Sequence, residues 1–523
     1  MIRYITTVLS LVLTLFGCTD DSDYGSDVET GEIVTLINGI VIHRTDVDAL
    51  YYLDGALKTP SFEKLFVPAA AERIVWFQAG PDPAEPDTLF VMTEPEDARA
   101  AGVDERLYRV KTNGSTTAFE VGSPFDEIAF GPNQRFAILY HGETDLTAGL
   151  YNPNEVSLID LTAKPGKNNP RTLSVSMDGR KIDQVAFVPS ISVGGVEREL
   201  AVFLAGSIAR VVDLNDPEGT WAKVPLLPSS DTRTIVPEQL IAVDETPGCD
   251  NAACEAKLFI RALGSEDIYY ITLGRSGEGF VDPQTKQLEA GGAATDMEIV
   301  TADDTTYLVA LSYATQGTKV NFVNVDTSES FNIIVTDRVT LMQRLEGDSG
   351  EKLVLYGQSG NQGIHFLSLT DIVKEKGRNL TTFSVQGTVS VTVPLDGDRL
   401  LLIPGNYQDL IILDLVTEKG AMLSSSGDYD WTDAEIFDDV FFVLPQSNAR
   451  IDYFDLATGS PDSLLLDDRP VSLHLLTGRQ TGVAVHDTPS GRVTIFPLGE
   501  PTRNKAKVLD GLWLEGSLNR KGV

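Results

Sequence analysis

One short phrase recurs ten times along this chain, and its spacing limits the architectures open to it. An apolar run ends in a short polar position and then a turn, as in Leu158-Ile159-Asp160-Leu161, Val211-Val212-Asp213-Leu214, Ile412-Leu413-Asp414-Leu415 and Tyr453-Phe454-Asp455-Leu456. Tyr52 to Gly55, Leu107 to Val110, Tyr270 to Leu273, Phe322 to Val325, Phe366 to Leu369 and Ile495 to Leu498 complete the set. Successive phrases end 41 to 59 residues apart. That period exceeds those of leucine-rich and ankyrin repeats and matches radial repeats and some helical ones.

Strand chemistry decides between the last two. A second apolar run precedes most phrases, for example Arg135 to Tyr140, Glu199 to Leu204, Lys352 to Tyr356 and Arg399 to Ile403. These runs are rich in Val, Ile, Leu, Phe and Tyr and are separated by Gly, Asn, Ser or Pro, which is the pattern of short strands and tight turns. Only Pro95 to Ala101 and Leu369 to Lys376 read as short helices. A two-sheet sandwich has no reason to repeat at this interval. A ring of four-stranded blades does, because each blade buries its faces on its neighbours and closure protects the edges. The fold class is therefore all-β, a β-propeller of four-stranded antiparallel sheets, with eight blades favoured and seven to ten allowed. Residues 126–498 form the regular propeller, 33–125 supply further blades or an appended β-module, and 499–523 form a closing segment.

Asn154-Glu155-Val156-Ser157-Leu158-Ile159-Asp160-Leu161-Thr162 resembles the blade phrase of the bacterial YVTN/WD40-like β-propeller superfamily, as does Arg450 to Gly459. The resemblance implies the fold. It implies no activity, since that superfamily hosts enzymes, scaffolds and sensors.

The N-terminus carries an address. Met1-Ile2-Arg3-Tyr4 leads into a mostly apolar run, Ile5 to Phe16, followed by Gly17-Cys18. A cationic start, an apolar stretch too short to span a bilayer and a small residue before the cut form an export signal. A cysteine at that place looks like the lipobox of bacterial lipoproteins, so residues 1–17 are expected to be a signal peptide and Cys18 the lipidated first residue. Residues 18–32 are acidic and almost free of apolar side chains, a flexible tether with a reach on the order of 20 Å. Thr19 stands where inner-membrane retention would want Asp, although Asp20 follows directly. The expectation is a Gram-negative-type cell envelope, with the outer membrane favoured over the inner.

Charge removes one class of partner. Lys plus Arg number 41 against 76 Asp plus Glu, a formal charge of −35, which repels phosphate backbones and anionic lipid alike. Nucleic acid is not an expected partner, and membrane attachment falls to the lipid on Cys18. Besides Cys18 the cysteines are Cys249 and Cys254. In an exported chain this pair is expected to form a disulfide, with too few neighbouring ligands for a metal and the wrong spacing for a redox motif.

Catalytic motifs are sparse. His43, His141, His365, His474 and His486 show no metal-ligand spacing, and no G-x-S-x-G, P-loop or HExxH motif occurs. Asp428, Asp430, Asp433 and Glu435, in the run DYDWTDAE, offer the oxygen atoms calcium takes, but without the EF-hand order; a solvated acidic loop is the competing reading. No cofactor is expected beyond that possible calcium. The functional expectation is a non-catalytic, lipid-anchored propeller that binds an envelope protein or glycan. The alternatives are a propeller enzyme of lactonase or dehydrogenase kind with a site in the central channel, and an outer-membrane assembly factor. Trp76, Trp221, Trp431 and Trp513 are too few and too irregular for the tryptophan-per-blade pattern of the assembly family.

Overall fold

The computed structural model describes residues 30–512 apart from short segments, of which 97–104, 143–151, 228–234 and 245–255 are the longest. The described residues form ten four-stranded antiparallel sheets, each from one contiguous stretch of chain. Blade 1 spans Thr30–Phe66, blade 2 Glu72–Glu120, blade 3 Glu127–Ser174, blade 4 Gln184–Pro225 and blade 5 Pro237–Glu289. Blade 6 spans Ala294–Val335, blade 7 Leu341–Ser384, blade 8 Val389–Ser424, blade 9 Trp431–Leu465 and blade 10 Pro470–Leu509. The count of ten lies within the expected range of seven to ten, at its upper end and above the favoured eight. Residues 33–125 build two full blades, and the closing segment contributes the last strand of blade 10, Lys507–Leu509. Of the two expected helices, Ile372–Glu375 forms one turn, while 97–101 lie outside the described residues.

Within each blade the four strands, here a to d, follow in order from the axis outward. First strands of neighbouring blades touch at most of the interfaces, including those of blades 9 and 10 and of blades 10 and 1. Each recurring phrase is the end of a strand c, so ten phrases mark ten blades. The polar residue that ends the phrase shapes the c–d turn. Asp455 accepts the amides of Ala457 at 2.9 Å and Thr458 at 2.8 Å, Asp414 those of Val416 and Thr417 at 2.9 and 2.8 Å, and Asn324 those of Asp326 and Thr327 at 2.8 and 2.9 Å. This is an Asx turn, which a short side chain with a carboxylate or amide at the γ position supplies. The apolar residue that follows is buried, and its amide ties back to the start of strand b, as Leu415 does to the Asp398 carbonyl at 2.8 Å.

Asp160 makes the same turn, accepting the Thr162 amide at 2.9 Å and the Thr162 hydroxyl at 2.6 Å. Asp160→Ala is expected to cost about 1 kcal/mol in urea denaturation, and Asp160→Asn, the residue type already present at 324, only a small part of that. Equal losses for the two substitutions would mean that charge, and not turn geometry, selects the aspartate.

The ring is closed mainly by side chains, with one backbone bond across the seam, from the Gly478 amide to the Ile37 carbonyl at 3.0 Å. Ten apolar clusters each join two successive blades, and one of them packs Ile40, Ile42 and Leu53 of blade 1 against Leu476, Val483, Val485, Val493 and Ile495 of blade 10. Strand b of blade 8 shows why these strands read as unbroken apolar runs. Leu400 and Leu402 pack toward blade 7, whereas Leu401 and Ile403 pack toward blade 9. A strand covered on both faces has no reason to alternate with polar residues.

Among the described residues no strand crosses the seam between blades 10 and 1. A side chain at the start of strand b instead reaches the carbonyl after the c–d turn residue in the next blade. Lys257 Nζ donates to Val325 O at 3.1 Å and Arg399 Nη1 to Leu456 O at 3.0 Å, and at the seam Thr481 Oγ1 donates to Gly55 O at 3.0 Å. Arg479 and Asp54 add an ion pair across the seam at 2.7 Å.

Candidate functional site

The inner rim, formed by the ten strands a, is where polar side chains from different blades converge. Strand a presents an unpaired edge, whose amides and carbonyls need partners. Several of these strands carry a β-bulge near their start, between Ile74 and Trp76, Pro237 and Gln239, Ala294 and Asp296, Trp431 and Asp433, and Pro470 and Ser472. A bulge re-aims the residue that follows it.

Those re-aimed residues bond to the neighbouring blade. Asp296 Oδ2 accepts the Met342 amide at 2.8 Å, and Asp433 Oδ2 accepts that of Leu473 at 2.9 Å. Gln239 accepts from the Met297 amide at 3.1 Å and donates to the Met297 carbonyl at 2.8 Å. Trp76 Nε1 donates to Phe125 O at 2.8 Å. Two residues beyond Asp433, Glu435 Oε2 accepts the Leu475 amide at 2.9 Å. At the seam His474 lies between Thr35 Oγ1, 2.9 Å from Nδ1, and Ser472 Oγ, 2.9 Å from Nε2. A discontinuous belt of side-chain bonds thus links the first strands.

Burial sets the protonation of this belt. Desolvation raises the carboxyls of Asp296, Glu298 and Asp433 above the ordinary range, against the backbone bonds that pull them down. Glu435 is pushed to about 8, first by desolvation and then by the neighbouring charge of Asp433. His474 is buried and lowered to about 4 by desolvation. Ser472, His474 and Thr35 have the spacing of a nucleophile, a base and an orienting group. An imidazole that takes its proton only near pH 4 is a weak base at neutrality, and a threonine hydroxyl gives an imidazolium no counter-charge.

The remaining histidines are tied into their own blades or the next. His365 lies inside strand c of blade 7, with Asp337 Oδ2 at 2.9 Å from Nε2 and Thr382 Oγ1 at 2.9 Å from Nδ1. His486 bonds to the Asp468 carbonyl and Thr494 Oγ1, both at 2.9 Å, His141 to Ser123 Oγ at 3.2 Å, and His43 to Asp48 Oδ1 at 3.1 Å.

Of the four residues proposed for calcium, Asp433 and Glu435 stand on strand a of blade 9, while Asp428 and Asp430 lie outside the described residues, as do Cys18, Cys249, Cys254 and Trp513. Among the described residues no three acidic, histidine or cysteine side chains converge as a metal site. Reading for ligand spacing alone missed Asp296 and Glu298. A signal was present, since Thr295-Asp296-Met297-Glu298-Ile299 and Thr432-Asp433-Ala434-Glu435-Ile436 are the same T-D-x-E-I phrase in two blades.

No protein-family model matches this chain, and no curated protein matches it. Solved structures similar to it include dihydro-heme d1 dehydrogenase NirN in complex with DHE, at 13% identity and a TM-score of 0.38 over 70% of this chain and 73% of that one. A eukaryotic initiation factor matches at 11% identity and a TM-score of 0.45, over 82% and 94% of the two chains. The Dos1 propeller matches at 12% identity and a TM-score of 0.40, over 72% and 93%. At this level the likeness says nothing about activity.

Proposed function

We propose that this chain is a lipid-anchored binding scaffold of a bacterial cell envelope, held by Cys18, spaced by the tether 18–32 and presenting the propeller to an envelope protein or glycan. The observation that carries the reading is the use made of the inner-rim polar groups. Asp296, Asp433, Glu435, Gln239 and His474 are engaged in bonds that join one blade to the next. Groups spent on holding a ring together favour a rigid platform over a reacting centre. The export signal and lipobox phrase support the anchor, and the formal charge of −35 favours partners with basic surfaces.

In-cell cross-linking of a tagged chain, followed by purification from solubilised membranes and mass spectrometry, tests the scaffold. A partner recovered in stoichiometric amount supports it, and a chain recovered alone counts against it. Fractionation tests the anchor separately. Cys18→Ala is expected to move the protein from the membrane to the soluble fraction, and an unchanged distribution would remove the lipid from the account.

A further inference from the structure

The outer rim holds ten strands d, each with an edge that no strand of the described chain pairs. Eight of them carry the devices that keep such edges from pairing with other chains, namely charged residues and proline. These are Glu63 and Lys64 in blade 1, Glu120 in blade 2, Arg171 in blade 3, Lys223 and Pro225 in blade 4, and Lys286 and Glu289 in blade 5. The series continues with Lys419 in blade 8, Pro461 and Asp462 in blade 9, and Lys507 in blade 10. Blades 6 and 7, which are neighbours, are the exceptions. Their edges, Ser330–Val335 (SFNIIV) and Leu380–Ser384 (LTTFS), have neither charge nor proline.

The blade 6 edge is the more apolar of the two. Phe331, Ile333 and Val335 face inward onto the cluster shared with blade 7, and Phe331 stacks on Phe322 at 4.9 Å, so the strand is firmly held. Ser330, Asn332 and Ile334 are exposed on the other face, Ile334 to 48%. Six uncharged residues, four of them (Phe331, Ile333, Ile334 and Val335) of high β-propensity, on a firmly held, open edge make a template whose register is fixed only when a partner strand supplies matching side chains; left bare, the same segment is an aggregation hazard.

We propose that the Ser330–Val335 edge of blade 6 binds an extended segment of another polypeptide by strand addition, the segment being uncharged and β-branched at its centre and carrying Lys or Arg at the end that meets Ser330. Main-chain hydrogen bonds supply affinity and the side chain of Ile334 supplies specificity. The flanking charge follows from the surroundings. Glu329 and Asp326, the latter paired with Lys257, are exposed at the Ser330 end of the strand, on a chain of formal charge −35; at the Val335 end Asp337 is half-buried against His365 and Arg338 is exposed. A second copy of this chain brings the same acidity and is disfavoured as the occupant. The inference rests on the scaffold reading and adds the surface and the class of partner.

The test uses the purified full chain in detergent and a fluorescent peptide of alternating threonine and valine closed by lysine at both ends, with a glutamate-ended peptide as its counterpart. The lysine-ended peptide is expected to bind and to protect the amides of 330–335 from hydrogen exchange. The glutamate-ended one should bind at least about tenfold more weakly. Ile334→Lys and Asn332→Lys, both at exposed positions, should each weaken binding by at least about tenfold, while Thr117→Lys on the blade 2 edge leaves it unchanged. The proposal falls if the lysine-ended peptide does not bind at millimolar concentration, if the two peptides bind alike, or if Thr117→Lys weakens binding as much. It falls also if the wild-type chain sediments as a dimer that Ile334→Lys dissociates, since a second copy would then be the occupant. Failure here leaves the scaffold reading standing, because cross-linking recovers a partner bound at any surface.

Discussion

Leu53→Ala is expected to destabilise the ring by about 2–5 kcal/mol, and Leu367→Ala by the same amount. The two leucines are the penultimate residues of strand c in blades 1 and 7, and both are fully buried. Leu53 packs on blade 10 across the seam, and Leu367 packs on blade 6 inside the continuous chain. If closure were weak, the seam would open in solution and Leu53 would lose its partners already in the native state, so its truncation would cost little. The apolar cluster at the seam, the Thr481–Gly55 bond and the Arg479–Asp54 pair argue that the seam is an interface like the other nine. Chemical denaturation of the two variants, with hydrogen exchange on blades 1 and 10, measures the comparison. A loss at Leu53 well below that at Leu367 would show an open ring.

The same contacts explain how far the sequence could be read. Ten strand-c phrases were visible because each ends in a local device, an Asx turn whose donors lie two and three residues away, as at Asp414 and Asp455. Blade number was undercounted where that device weakens. In blade 2 strand c runs one residue past the phrase Leu107–Val110 to Lys111, so no Asp or Asn ends the strand, and the two N-terminal blades could equally be read as an appendage. The rim was less legible for a different reason. Asp433 finds its partner 40 residues on at Leu473, and Asp296 finds its partner 46 residues on at Met342. A carboxylate whose partner is the backbone of another blade leaves no local spacing rule, and in Asp428 to Glu435 the same acids mimic a cation site. Only the repeated T-D-x-E-I phrase, set against the blade period, marks them as rim positions.

Glu435→Gln is expected to stabilise the folded chain at pH 9 by on the order of a few kcal/mol and to change little at pH 4. In the folded ring Glu435 holds its proton up to about pH 8, whereas an unburied glutamate releases it near 4.5. Between those values the folded state binds more protons than the unfolded state, so stability is highest on the acid side and falls as pH rises through the window. The cause is the desolvated site on strand a of blade 9, with Asp433 on the same strand adding repulsion once both are ionised. Glutamine keeps an oxygen to accept the Leu475 amide, now bonded at 2.9 Å, and removes the charge that the site disfavours. Glu435→Ala removes that acceptor as well and leaves the amide without its partner, so at pH 4 it should be less stable than the glutamine variant by about 1–3 kcal/mol. Denaturation of the three proteins at pH 4, 6.5 and 9 separates charge from hydrogen bonding. If Glu435→Gln were equally destabilising at every pH, the carboxylate would be ionised throughout and its bond to Leu475 would be a net gain, and the inner rim would owe its cohesion to charge. The expected result assigns the opposite role at this position: the contact holds because the Glu435 carboxyl keeps its proton, and raising the pH strains the contact between blades 9 and 10.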